Sequence, residues 1–65
     1  MKQPENPPYI SVLPTFNDGF MATMFKWDYS TEEYGIVASR PRRPSRDAAN
    51  RDAQEWAKLQ GVELR

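Results

Sequence analysis

The stretch from Phe20 to Tyr29, FMATMFKWDY, limits most strongly what this chain can fold into. Aromatic, β-branched and methionine side chains crowd it, and neither proline nor glycine interrupts it. Such a run predicts a strand. Side chains alternate across a strand, so one face carries Phe20, Ala22, Met24, Lys26 and Asp28, and the other Met21, Thr23, Phe25, Trp27 and Tyr29. Both faces are partly apolar. A strand of this kind is buried on both sides, or buried on one and used for contact on the other.

The flanking sequence supplies its neighbours. Tyr9 to Leu13 (YISVL) is rich in strand formers and stops at Pro14, as an edge strand does. Asn17-Asp18-Gly19 predicts a hairpin turn, with glycine supplying the positive φ. Ser30-Thr31-Glu32-Glu33 followed by Gly35 predicts a second turn, and GIVASR a third strand over 35–40. The prolines of Arg40-Pro41-Arg42-Arg43-Pro44 exclude helix and inner strand. Ser45 then offers an N-cap oxygen, Asp47 complements the helix dipole, and Gly61 marks a left-handed stop. The helix is expected over 46–60. Residues 62–65 are a tail or a short added strand.

At about 100° per residue, Ala48, Ala49, Ala53, Trp56, Ala57 and Leu59 share one half of this helix, and Asn50, Arg51, Gln54, Glu55 and Lys58 the other. Alanines let the helix approach a sheet closely. The one large knob, Trp56, needs a hollow, and Ala22 provides it. That fit turns Phe20, Ala22 and Met24 toward the helix, with Ile36 and Ala38 on one side and Ile10 and Val12 on the other. The expected fold is α+β: a three-stranded antiparallel β-meander with one C-terminal α-helix packed on one face (β-β-β-α). Residues 1–8 form a loose proline-rich tail and 9–65 the single domain. Thr23, on the face away from the helix, is expected to tolerate a larger residue.

Composition closes several routes. Sixty-five residues make one core, and a chain of that size buries only about 60% of its unfolded surface. With no cysteine and no histidine, disulfides, zinc–thiolate sites, the commonest general base and the commonest soft nucleophile are absent. Ser11, Ser30, Ser39 and Ser45 have no histidine to activate them. No glycine-rich phosphate loop occurs. The expectation is no catalytic residues, no metal, no cofactor and no enzyme activity. Nine basic and nine acidic residues cancel, so any anion site must be local. No run approaches the ~18 apolar residues of a membrane span, and the opening Lys-Gln-Pro-Glu-Asn-Pro-Pro has no apolar signal core. The chain is expected to be soluble and cytoplasmic, without a membrane partner.

Three surfaces remain as candidates. The sheet face away from the helix carries Met21, Phe25, Trp27 and Tyr29, flanked by Leu13 and Val37. Aromatics of this kind anchor protein interfaces, and an exposed apolar patch on a small domain calls for a partner, a second copy, or cover by the chain's own ends. Phe25 and Trp27 also have the chemistry to stack nucleobases. The second surface is the arginine loop. Arg40, Arg42, Arg43 and Arg46 lie beside a helix N-terminus and suit phosphate or carboxylate, unless they form only a solvated connection. The third, Asp28 with Glu32 and Glu33, reads as a solvated turn, because it lacks alternating ligand spacing for a cation.

The order Asp18-Gly19-Phe20-x-Ala22, two strands and then Ser45-x-Asp47-Ala48 opening an alanine-rich helix resembles two families. One is the HicB-type antitoxin domain and the other the arm-type DNA-binding domain of phage integrases. The composition also resembles small phage or prophage accessory proteins. Against the integrase arm, the outer strands lack lysines. Against the antitoxin, a separate DNA-binding tail is missing. These resemblances imply a β-β-β-α fold. The functional expectation is a small non-enzymatic regulatory or inhibitory protein acting by protein–protein contact or self-association through the open face. The alternative is a nucleic-acid-binding accessory domain using the Arg40–Arg46 loop and the aromatic face.

Overall fold

In the computed structural model, which describes residues 6–65, β1 (Tyr9–Pro14) pairs antiparallel with β2 (Phe20–Asp28), and β2 with β3 (Glu33–Ser39). The helix α1 (Arg46–Gln60) follows, and then β4 (Glu63–Leu64), which lies parallel to β1. The α+β class and the β-β-β-α order stand. The sheet, however, is a mixed four-stranded one, ordered β3-β2-β1-β4, and not a three-stranded meander. The tail expected over residues 1–8 falls mostly on residues 1–5, which lie outside the described residues. Among the described residues no helix is long and apolar enough to cross a membrane.

The first turn closes through the Thr15 N–H on the Gly19 carbonyl at 2.8 Å. Asp18, not Gly19, takes the left-handed conformation, with φ of 52°. Aspartate tolerates that region because its short side chain bonds locally. Gly19 lies under the Arg42 side chain, and a Cβ there would come within 2.7 Å of a guanidinium nitrogen, so a larger residue would displace the arginine.

The second turn forms earlier than the sequence suggests. The Asp28 carboxylate accepts from the Ser30 N–H at 2.9 Å and the Ser30 hydroxyl at 2.6 Å, and the Asp28 carbonyl accepts from Glu32 N–H at 2.8 Å. An aspartate that bonds its own backbone two residues on ends a strand. Tyr29 therefore belongs to the turn and not to β2. Glu32 carries the positive φ, and Gly35 sits inside β3 opposite Lys26.

The β2–β3 register shifts once. Met24 opposes Ala38 but Phe25 opposes Ile36, leaving Val37 as the extra residue of a β-bulge. The bulge moves Ile36 to the face away from the helix, where Val37 had been expected. Beyond β3 the chain still follows β2. The Arg40 N–H reaches the Ala22 carbonyl at 2.9 Å, and Phe20 and Arg43 exchange backbone hydrogen bonds of 2.8 and 2.7 Å.

The helix starts and stops where its caps are. The Ser45 hydroxyl accepts from Ala48 N–H at 3.2 Å, and Gly61 adopts φ of 66°. Gly61 and Val62 N–H both turn back to the Ala57 carbonyl, and Val62 packs onto the core. This reversal feeds the chain into β4, secured by the Arg65 N–H on the Ile10 carbonyl at 2.8 Å.

Ile10, Ala22, Met24, Ala53, Trp56 and Ala57 form the buried cluster, joined at its margin by Val12 and Val62. The helix reaches β1, β2 and β4 but not β3. Two expectations change as a result. Leu59, expected to face the core, is 77% exposed, on the side of the helix toward Arg40, Pro41 and Arg43. Thr23, expected to be open, is fully buried. It lies between Ser11 and Ser39 across the strands, with the long Met21 and Phe25 side chains on either side along its own strand.

These placements make stability predictions for chemical denaturation. Trp56→Ala should cost about 3–5 kcal/mol, most of what a domain of this size possesses. Thr23→Leu should lose about 1–3 kcal/mol through overpacking, whereas Leu59→Ser should be nearly neutral. An unchanged midpoint for Trp56→Ala would contradict the core assignment.

Candidate binding surfaces

The sheet face away from the helix is built from cross-strand rows. Tyr9, Phe25 and Ile36 form one row, and Trp27 with Tyr34 the next. Tyr9 stacks on Phe25 with ring centroids 5.0 Å apart and planes at 19°. Tyr34 meets Tyr9 edge-on at 4.8 Å and Trp27 edge-on at 5.1 Å. Edge-to-face and offset-stacked pairs satisfy the ring quadrupoles, so the rings hold one another in place. Met21, Phe25 and Trp27 share this face as expected, all half-buried. Tyr29 is not in the row. It stands 69% exposed in the turn and lines, with Trp27, Pro8, Asn6 and Lys26, a hollow of about 280 Å³.

Tyr9 and Tyr34 were missed from the sequence. Tyr9 shares the parity of Leu13, which signalled its side. Tyr34 looked like a turn residue because Gly35 follows it. The chain ends cover part of the face. The Tyr34 hydroxyl donates to the Pro7 carbonyl at 3.0 Å, and the Arg65 guanidinium lies 4.3 Å from the Tyr9 ring centroid. Ile36 remains 62% exposed at the margin.

Each of the four loop arginines makes an internal contact. Arg40 lies over the Trp56 ring at 4.6 Å and Arg46 over Phe20 at 4.9 Å. Arg42 donates to the Asn17 carbonyl at 3.1 Å. Arg43 forms a two-pronged pair with the Asp52 carboxylate, at 2.7 and 3.2 Å. Together with the Phe20–Arg43 backbone exchange, these contacts make the loop a strap from the first turn to the helix. Arg40 and Arg43 share a hollow with Asp52 on one side of the helix, Arg51 lines a groove between the helix and β4, and Lys26 lines the hollow beside Trp27.

Charge effects follow from these bonds. The Arg43 hydrogen bonds hold the Asp52 carboxyl below its ordinary value, with added pull from the charges of Arg43, Arg40 and Arg51. The Ser30 hydroxyl and then its N–H hold Asp28 low in the same way. Among the described residues no three carboxylates gather as a metal ion would require.

Comparison with protein-family models, with curated proteins and with solved structures finds no match.

The Asp52 pair makes a pH prediction. A carboxylate whose folded pKa is depressed contributes stability above its unfolded value, about 3.9, and loses it as pH falls through the folded value. Asp52→Asn should therefore melt below wild type at neutral pH, and the gap should close on acidification below about pH 4. A gap constant with pH, read by thermal melts, would assign the loss to packing instead.

Proposed function

We propose that this chain is a small non-enzymatic regulatory or inhibitory protein that acts by protein–protein contact through its aromatic sheet face. The observation that carries this reading is the interlocked cluster of Tyr9, Phe25, Tyr34 and Trp27, half-exposed and edged by Ile36. Rings already fixed by one another lose little side-chain freedom on binding, and aromatic anchors carry the largest share of interface energy. The hollow beside Trp27 and Tyr29 gives a protruding partner side chain somewhere to seat.

The arginines support this reading over nucleic acid. Phosphate neutralisation needs several free cations on one surface. Here Arg43 is already paired with Asp52, Arg40, Arg42 and Arg46 are each held in an internal contact, and Lys26 lies at the separate hollow beside Trp27.

The test uses the intact chain immobilised against a lysate of its source, with captured protein then titrated purified. Trp27→Ser should weaken that complex by about 2 kcal/mol or more, with little dependence on ionic strength. In parallel, single- and double-stranded oligonucleotides are titrated at two salt concentrations. Oligonucleotide binding that falls steeply with salt, and that Arg42→Ala diminishes while Trp27→Ser does not, would replace this reading with the nucleic-acid one.

A further inference from the structure

β3 is an edge strand, seven residues long, with nothing paired to its outer side among the described residues. The helix does not reach it, and Ile36 and Val37 at its centre are 62% and 54% exposed. Natural edges are usually guarded by lysine, proline or an inward charge. The segment EYGIVAS has none of these within it, only the bulge at Val37.

Its free backbone groups can be located. Arg40 N–H bonds the Ala22 carbonyl, so the even-numbered residues of β2 direct their polar groups at β3. Polar groups alternate along a strand. Glu33, Gly35 and Ala38, opposite Asp28, Lys26 and Met24, thus point inward. Tyr34, Ile36 and Ser39 present N–H and C=O outward.

We propose that β3 pairs antiparallel with β3 of a second copy of this chain, about a two-fold axis between Ile36 and Val37. Glu33 then opposes Arg40 of the second copy, Tyr34 opposes Ser39, and Gly35 opposes Ala38. Three features select this register. Because of the bulge, each of these pairs joins residues of the same sheet face. Tyr34 and Ser39 both point outward, so they exchange two hydrogen bonds on each flank. Glu33 and Arg40 bring opposite charges together twice, and Glu33 has no ion pair of its own among the described residues. A parallel pairing would set like charges side by side. The bulge interrupts regular pairing at the axis and confines it to the flanks, so the dimer is weak, in the class burying less than about 1,200 Å². The surface differs from the aromatic face, and the inference stands or falls independently of the proposed function.

Cysteine cross-linking tests the register, since the chain has no cysteine of its own. A Cβ at residue 35 meets nothing within 4 Å, and Ala38 is exposed, so Gly35→Cys and Ala38→Cys should both fold. Opposed residues that are not hydrogen-bonded lie about 4.5 Å apart between Cα atoms, within disulfide range. An oxidised equimolar mixture should yield chiefly the mixed disulfide, and either variant alone much less dimer. Sedimentation at millimolar concentration should detect wild-type dimer. Glu33→Lys should weaken it about tenfold at low salt, as should Ser39→Pro, which removes only an outward N–H, with melting temperatures unchanged. A wild-type chain that stays monomeric at millimolar concentration, or cross-linking without preference for the mixed product, overturns the proposal.

Discussion

A single helix is about 10 Å across, and strands lie about 4.8 Å apart, so one helix roofs two or three strands and not four. Everything else in this molecule follows from where that narrow roof sits. Trp56 and Ala22 fix it, large against small within the buried cluster. With Trp56 there, the helix lies over β1 and β2 and its end over β4, and β3 lies beyond its reach. β3 must then be held by its ladder to β2 and by what the chain can bring to its ends. The arginine strap does the second job, joining the end of β3 to both the start of β2 and the helix.

The strap also shows how a chain without staples covers its aromatic rings. Guanidinium groups of the strap lie over Trp56 and Phe20, and Arg65 lies over Tyr9 on the opposite face. A guanidinium is planar, weakly hydrated and permanently charged, and can cover a ring while keeping contact with water. On the other face the rings cover one another. The molecule therefore has one core of small aliphatic residues around a tryptophan, and an outer aromatic layer that is ordered but not enclosed.

Local signals in the sequence were reliable wherever the physics was local. Ser45, Gly61 and the alanine stripe define α1 without reference to any strand, and its bounds agree with those expected. Ala22, Met24 and Ile10 were assignable because strand parity and the size of Trp56 leave few choices. The bulge was not legible. It depends on two strands settling at different registers, and no residue type near Val37 marks it. β4 is two residues long and pairs with a strand at the other end of the chain, so it too has no local signature. The arginine contacts were only partly legible. Asp52 stands close enough in sequence to be expected as a partner, but four guanidiniums in seven positions look the same whether they face solvent or lie on Trp56, Asn17 and Phe20, which are distant in sequence. Tyr29 was misplaced because Asp28, an ordinary strand-end residue in the pattern, captured the Ser30 backbone and ended the strand one residue early.

Ile36 is where the two exposed surfaces meet. By register it belongs to the aromatic face, opposite Phe25, and by position it sits at the centre of the free edge. A two-fold axis normal to the sheet keeps each face on its own side. In the proposed pairing, the aromatic rows of two copies would thus lie on one continuous surface, with the two Ile36 side chains beside the axis. A partner bound through that face would then meet two equivalent sites at a fixed spacing, and weak contacts at each would reinforce through effective concentration. The bulge that leaves Ile36 on this face is also what sets the self-pairing register, so a single local irregularity in β3 couples the two surfaces.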